Sequence, residues 1–205
     1  MNKKKKLDTK KVSKEFNKRA LKRNGIVKVL TNRVTPSINE SFDKNCNQFI
    51  KENFPNKINN VIDVGIGIGR LSKYFTKKSK KLIGIDFSEN MLEIAKTQFK
   101  NKNNVTLIHS NAADIDFLPN YFNLGIVSLV LKHNNDKNAI KVIKKMQKWC
   151  KKILLIEHVS GGTNGTQIAI VRTKSWYINH FKPMKPLIIH ELKRKDDNII
   201  FCIFK

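Results

Sequence analysis

The sequence predicts an α/β protein with a doubly wound, seven-stranded, mostly parallel sheet that ends in an antiparallel hairpin. Three observations carry this expectation. From about residue 37 onward, short runs rich in β-branched residues alternate with segments of helical apolar spacing. That alternation gives parallel strands joined by right-handed crossovers. Directly after the first run come three glycines at alternate positions, Gly65, Gly67 and Gly69, within the stretch Val61-Ile-Asp-Val-Gly-Ile-Gly-Ile-Gly-Arg70. The alternation then breaks at the end, where strands over 187–193 and 198–204 are joined by Asp196-Asp197-Asn198, a hairpin turn.

The elements follow in order. Residues 1–6 are a lysine run. Residues 11–30 carry helical spacing, with Val12, Phe16, Ala20 and Leu21 close to one face, and Asn24-Gly25 interrupts or ends the helix. Residues 1–36 read as a basic tail and helical cap, and 37–205 as the main domain. The cap has no place inside the sheet, so it is expected over the ligand mouth or among substrate contacts. There Arg33 either reaches a carboxylate or stays solvated. Pro36-Ser37 opens the next helix, Ser37 and Glu40 forming a capping box, with Ile38, Phe42, Cys46, Phe49 and Ile50 inward and Pro55 closing it. After the first strand and the glycine loop, a helix starts near Arg70 with Leu71, Tyr74 and Phe75 inward. A second strand over 81–85 ends in Asp86. Ser88 caps a helix carrying Met91, Leu92, Ala95 and Phe99. A turn at 101–104 leads to a third strand over 105–109. The fourth, over 124–131, is apolar almost throughout and therefore expected to be covered on both faces. A helix over 136–150, a fifth strand over 153–157, a loose loop at Gly161-Gly162 and Gly165, and a short helix over 173–181 precede Pro183, Pro186 and the hairpin.

Composition narrows the function. A chain of 205 residues suits one domain with short additions. No apolar run approaches a membrane span, and the charged N-terminus lacks the apolar segment of a secretory signal. The three cysteines, Cys46, Cys150 and Cys202, show no zinc spacing and each lies in an apolar pattern. They read as buried, reduced thiols in a cytoplasmic compartment. The net charge of +25 invites a polyanionic partner such as nucleic acid. Lysine, asparagine and isoleucine are all abundant, however, and the lysines are scattered, as an A+T-rich genome alone produces.

The glycine loop and Asp86 hold the chemistry. Glycine permits the dihedrals of a tight turn and lets a ligand lie on bare backbone. An acid ending the next strand suits a ribose diol, because a carboxylate accepts two hydroxyl hydrogen bonds. A dinucleotide fingerprint needs a glycine where Arg70 stands, so the loop fits nicotinamide cofactors poorly. A phosphate-binding turn, or a turn with no ligand, remains the alternative. The order acid-x-Gly-x-Gly-x-Gly, with Asp63 as the acid, resembles the first motif of class I S-adenosylmethionine-dependent methyltransferases. The final hairpin also resembles that Rossmann-like fold, in which the seventh strand enters antiparallel between the fifth and sixth. The likeness covers roughly residues 37–205.

That resemblance implies S-adenosyl-L-methionine as cofactor and no metal. It implies that Asp63 contacts the methionine amino group, that Gly65, Gly67 and Gly69 seat that end of the cofactor, and that Asp86 takes the ribose. Phe87 or Met91 would flank the adenine. Asn111-Ala112 stands where the family has Asp-Ala; Asn111 offers its carbonyl oxygen to the adenine amino group and Ala112 its amide to a ring nitrogen. Asp114 caps or stabilises the following turn. Ser128 would line the methionine pocket. His133 is the leading candidate for a general base, because imidazole titrates near neutrality, against the alternative of a surface or helix-entry histidine. His158, His180 and Tyr177 are weaker candidates on loops. Asn123 replaces an acid common in the family.

The stretch Ser128-Leu129-Val130-Leu131 lacks the Asp/Asn-Pro-Pro-aromatic motif of nucleic-acid amino methyltransferases and the Pro-Cys nucleophile of cytosine C5 enzymes. The implied activity is therefore methyl transfer to oxygen or nitrogen of a small molecule. An RNA methyltransferase and a catalytically silent cofactor-binding subunit are the alternatives.

Overall fold

The computed structural model describes residues 7–22, 36–161, 168–194 and 197–205. Its seven strands form a sheet in the order β3-β2-β1-β4-β5-β7-β6. The strands are β1 (Ile58–Val64), β2 (Ser79–Asp86), β3 (Val105–His109), β4 (Leu124–Ser128), β5 (Ile153–Gly161), β6 (Pro186–Lys193) and β7 (Asp197–Phe204). The helices are α1 (Thr9–Lys22), α2 (Pro36–Asn53), α3 (Ser72–Phe75), α4 (Glu89–Phe99), α5 (Asp136–Trp149) and α6 (Lys174–His180). The expected doubly wound α/β architecture with a closing antiparallel pair is present. The chain forms two compact units: Ser13–Asn111, and Met1–Val12 together with Ala112–Lys205.

In the Ser13–Asn111 unit, β1 pairs parallel with β2, and β2 with β3. The inward ends of β1 and β2, Val61, Ile62, Val64, Leu82, Ile83 and Ile85, are 5 % exposed or less. The sheet buries consecutive side chains there, so both of its faces are covered. In α2 the buried set is Asn39, Phe42, Cys46, Phe49 and Ile50. Ile38, expected inward, is 37 % exposed. The helix begins at Pro36, one residue before the expected cap Ser37, because proline's fixed φ and missing donor suit the first helical position. In α1, Val12 and Ala20 are buried as expected, but Leu21 lies on the open side at 74 % exposure. The helix expected over 11–30 is seen over Thr9–Lys22; Asn24, Gly25 and Arg33 lie outside the described residues.

In the Ala112–Lys205 unit, β4 pairs parallel with β5, and β7 runs antiparallel to both β5 and β6. Strand β7 is the core of this layer, Ile199 to Phe204 being almost wholly buried. The expected strand over 124–131 ends early, at Ser128. Leu129 turns into the left-handed region at φ +58, and residues Leu131–His133 form a 3₁₀ turn. The cause is Glu157, whose Oε1 accepts the amides of Leu131 at 2.6 Å and Lys132 at 3.3 Å and so draws the chain out of the ladder. Strand β5 instead runs four residues past its expected end, to Gly161, held by β7. Thr173 caps α6 by accepting the Trp176 amide, and Asn135 caps α5 by accepting that of Asn138. All three cysteines are buried and free. Among the described residues, no helix is long and apolar enough to cross a membrane.

Candidate active site

The glycine loop is built from its backbone. Gly65, Gly67 and Gly69 have φ of +73, +55 and +82, conformations in which a side chain is strained. At Gly69 a Cβ would also meet the Phe99 ring at 2.4 Å. The amides of Gly65 and Ile66 both donate to the Ile85 carbonyl, at 2.8 and 3.0 Å, which ties the loop to the end of β2. The next amide, Gly67, donates to Asp86 Oδ2 at 2.8 Å, and the Ser88 amide donates to Asp86 Oδ1 at 2.9 Å. Asp86 is thus fixed at the turn that ends β2, 6 % exposed. A carboxylate has about four lone-pair sites, so hydroxyl donors can still be accepted there.

Asp63 lies one strand away, 4 % exposed, and accepts the Ser72 hydroxyl at 2.7 Å. Burial pushes its carboxyl up to about 7, against the pull of the Ser72 hydrogen bond; nearby Asp86 adds to the rise, while Arg70 opposes it. Burial likewise lifts Asp86 to about 6, although the Ser88 and Gly67 amides pull it down. Two enclosed acids held above their ordinary range favour a cationic ligand, because a positive charge restores the ionised form that burial penalises. The ammonium of S-adenosylmethionine meets that requirement at Asp63, and its ribose hydroxyls can donate to Asp86, so the residues present fit that cofactor.

The unit supplies further supports that the sequence did not announce. Asn17 of α1 accepts the Ser88 hydroxyl through Oδ1 at 2.7 Å and the Asn90 amide at 3.3 Å. Phe16 meets the Phe87 ring edge-on, with centroids 6.0 Å apart. Helix α1 therefore clamps the turn that follows Asp86. No short-range signal marks Asn17, because its partners lie more than seventy positions away. Met91 is 1 % exposed and packs inside α4, whereas Phe87 is half-buried. Ser110 donates its amide to the Asp86 carbonyl at 3.0 Å, which sets Asn111 at the same edge of the sheet.

The remaining candidates belong to the other unit. Ala112 is buried, and the Ser128 hydroxyl is buried with no hydrogen-bond partner among the described residues. His133 Nδ1 lies 2.7 Å from the Ile168 carbonyl oxygen. A carbonyl only accepts, so Nδ1 carries the proton and Nε2 is the basic nitrogen. The turn that carries His133 is stapled on both sides. Ile170 donates its amide to the Lys132 carbonyl at 2.7 Å. Arg172, 5 % exposed, donates to the Leu131 carbonyl at 2.8 Å, the Asn134 carbonyl at 2.6 Å and Asp136 at 2.9 Å. Glu157 holds the amide end of the same turn while its Oε2 has no hydrogen-bond partner among the described residues. Burial raises its carboxyl to about 7 against the opposing charge of Lys132.

The three histidine and tyrosine candidates expected on loops all lie in regular elements. His158 sits in β5 opposite Ile199, because that strand continues past Glu157. Burial pushes its imidazole down to about 4 even though Asp197 lies 3.3 Å away. His180 is in α6, stacked on Trp176 at 4.0 Å. Tyr177 is in the same helix and fully buried. Asp114 is 3.5 Å from Lys141, an exposed ion pair.

Comparisons with known proteins bear on the fold that carries these residues. The sequence profile of a methyltransferase domain family matches residues 61–152. The ribosomal RNA small subunit methyltransferase A of Clostridium botulinum is 29 % identical over 102 residues, 42 % of this chain and 37 % of that protein. The match thus spans well under two thirds of the relative's length. A Leishmania major S-adenosylmethionine-dependent methyltransferase has the same fold, with a TM-score of 0.80 at 16 % identity over 96 % of this chain and 82 % of its own. So does the magnesium protoporphyrin IX methyltransferase of Synechocystis, seen with bound S-adenosylmethionine, with a TM-score of 0.72 at 18 % identity over 98 % of each chain.

Proposed function

We propose, from the premise that this chain carries a class I methyltransferase domain whose cofactor is S-adenosylmethionine, that it methylates an oxygen or nitrogen of a small molecule. The cofactor supplies a methyl group already activated on a sulfonium. Asp86 accepts the ribose hydroxyls, Asp63 answers the methionine ammonium, and the glycine loop lets that end rest on backbone. Asn111 and the Ala112 amide read the adenine. The acceptor atom displaces the methyl directly, so the chain's tasks are alignment and exclusion of water. When the acceptor is a hydroxyl or a protonated amine, His133 removes the proton through Nε2.

The observation that carries the acceptor side is the hydrogen bond from His133 Nδ1 to the Ile168 carbonyl, which fixes the tautomer a base requires. RNA as the acceptor is favoured by the +25 charge and the ribosomal RNA methyltransferase relative. Against it stands Ser128-Leu129-Val130-Leu131, which offers no proline-aromatic platform for an extruded base.

The test is transfer of labelled methyl from S-adenosylmethionine to small-molecule and RNA fractions of a cell extract, run side by side. Label in the small-molecule fraction is expected. His133→Ala should lower that turnover by about 10²–10⁴-fold while leaving cofactor affinity nearly unchanged. Label confined to RNA would replace the acceptor class, and cofactor binding with no transfer at all would make the chain a silent subunit. An equal loss of turnover and affinity would make His133 structural.

A further inference from the structure

The Ser13–Asn111 unit carries a second concave surface, built from other side chains than those assigned to the cofactor. A cleft of about 490 Å³ is lined by residues of α2, of α3 and of the segments that flank α3, with Gln98. Most of its polar groups already have partners. Arg70 is ion-paired with Asp43 and lies 5.5 Å over the Phe42 ring. The Tyr74 hydroxyl donates to the Phe54 carbonyl at 2.9 Å, and Gln98 donates to the Gly69 carbonyl at 3.0 Å. Two lining groups differ. Lys73 and Lys77 are exposed, stand four positions apart, and form no ion pair among the described residues.

The surrounding sequence explains the excess charge. Between Asp63 and Asp86 there is no acidic residue, while Arg70, Lys73, Lys77, Lys78, Lys80 and Lys81 all fall there. The one acid lining the cleft, Asp43, is already neutralised by Arg70. A comparable acid-free run of lysines lies between Asp136 and Glu157, in and after α5, but the run here lines a concavity.

We propose that this cleft holds the backbone phosphates of a single-stranded nucleic acid. Lys73 lies in α3 and Lys77 just past its end, and flexible lysine stems let the two ammonium groups meet neighbouring phosphates. Phosphates satisfy those charges by releasing counterions, and the interaction reads no base. Tyr74 lines the cleft next to Lys73 and offers the aromatic face on which a base of any identity can stack. This inference does not depend on which molecule accepts the methyl group.

The test is fluorescence anisotropy of the full chain with a short labelled oligouridylate, across a salt series. Three proteins are compared: wild type, Lys73→Glu/Lys77→Glu, and Lys137→Glu/Lys144→Glu. The last pair lies exposed on α5 and makes the same change in net charge. The wild type should bind more weakly as salt rises. The cleft variant should lose about tenfold in affinity at low salt, and its salt slope should flatten by about 0.7 for each phosphate that is no longer neutralised. The α5 variant should stay close to wild type. Equal losses in both variants would overturn the site in favour of net charge alone, and so would a wild type that does not bind. Equal binding of a duplex of the same length would overturn the single-strand assignment. Cofactor affinity, measured on each protein, reports that the fold is intact; should charge reversal disturb it, Lys73→Gln/Lys77→Gln carries the same comparison.

Discussion

Buried acids are handled differently in the two units. In Ser13–Asn111, Asp63 and Asp86 are met by a hydroxyl and by backbone amides, and their partners lie nine and nineteen positions away in the chain or closer. In Ala112–Lys205, Glu157 takes amides from 25 and 26 positions away, and Arg172 reaches carbonyls 38 and 41 positions away. The first arrangement is a motif: strand, glycine turn and next strand bring their own groups together. The second is an assembly, in which β5 and the segment 168–172 converge on a turn neither of them adjoins in sequence. A motif can be read from spacing. An assembly becomes visible only once the fold has formed.

The largest expected effect breaks the assembly. Arg172→Met keeps apolar bulk and removes all three donors, leaving the Leu131 and Asn134 carbonyls without them. The Leu131 carbonyl keeps the Asn134 amide, but three hydrogen bonds from a buried charged donor are lost, which should cost about 3 kcal/mol of stability. By thermal or denaturant unfolding, the loss should appear with cofactor affinity little changed. A fall in affinity as large as the fall in stability would mean that the two units do not divide the work in this way.

The complementary variant breaks the motif. Asp86→Ala should weaken cofactor binding by about 1.5–3 kcal/mol, since hydrogen bonds to a charged acceptor are removed. Calorimetric titration reads this directly, and an unchanged affinity would remove the ribose assignment. Because Asp86 also accepts the Gly67 and Ser88 amides, part of the loss comes through a loosened loop. Asp86→Asn, which keeps an accepting oxygen, should therefore fall between wild type and Ala.

The same contrast decides what the sequence disclosed. The three glycines, the acid before them and the acid ending β2 are legible because a tight turn with positive φ admits few residue types. The core face of α4 is legible because helical periodicity marks it; in α5 the same periodicity marks Ala139, Ile143 and Met146 but not the buried Val142 and Trp149. The early end of β4 is not: Leu129 to Leu131 is as apolar as the strand before it, and a single buried glutamate in β5 redirects it. Ile38 and Leu21 fit a helical stripe in sequence, yet they lie exposed, while Asn39, Phe42 and Ala20 of the same two helices take the buried positions. Asn17 and Arg172 carry no local signature at all, since each acts only through partners brought near by the fold.

The smallest expected effect lies in the pH dependence of the motif. Asp63 has a folded pKa of about 7 against an ordinary 3.8, raised chiefly by burial. Between those values the folded chain holds a proton that the unfolded chain has released. Stability of the cofactor-free protein is therefore undiminished below about pH 4 on this account and falls as pH rises toward 7. Binding runs the opposite way: a cationic cofactor favours the ionised carboxylate, so affinity should weaken as pH drops below about 7. Asp86 and Glu157 are raised as well and add to the stability trend. Asp63→Asn keeps an oxygen for the Ser72 hydroxyl and removes one titration. It should flatten part of the stability fall, leaving the cofactor-free variant more stable than wild type near pH 8. Each kcal/mol recovered corresponds to about 2–4 °C in melting temperature for a chain of this size. The variant should also lose the dependence of cofactor affinity on pH near 7 that is assigned to Asp63. Melting curves and titrations at matched pH test both halves. A pH dependence of affinity that survives in Asp63→Asn would move the titrating group to Asp86, the motif's other acid.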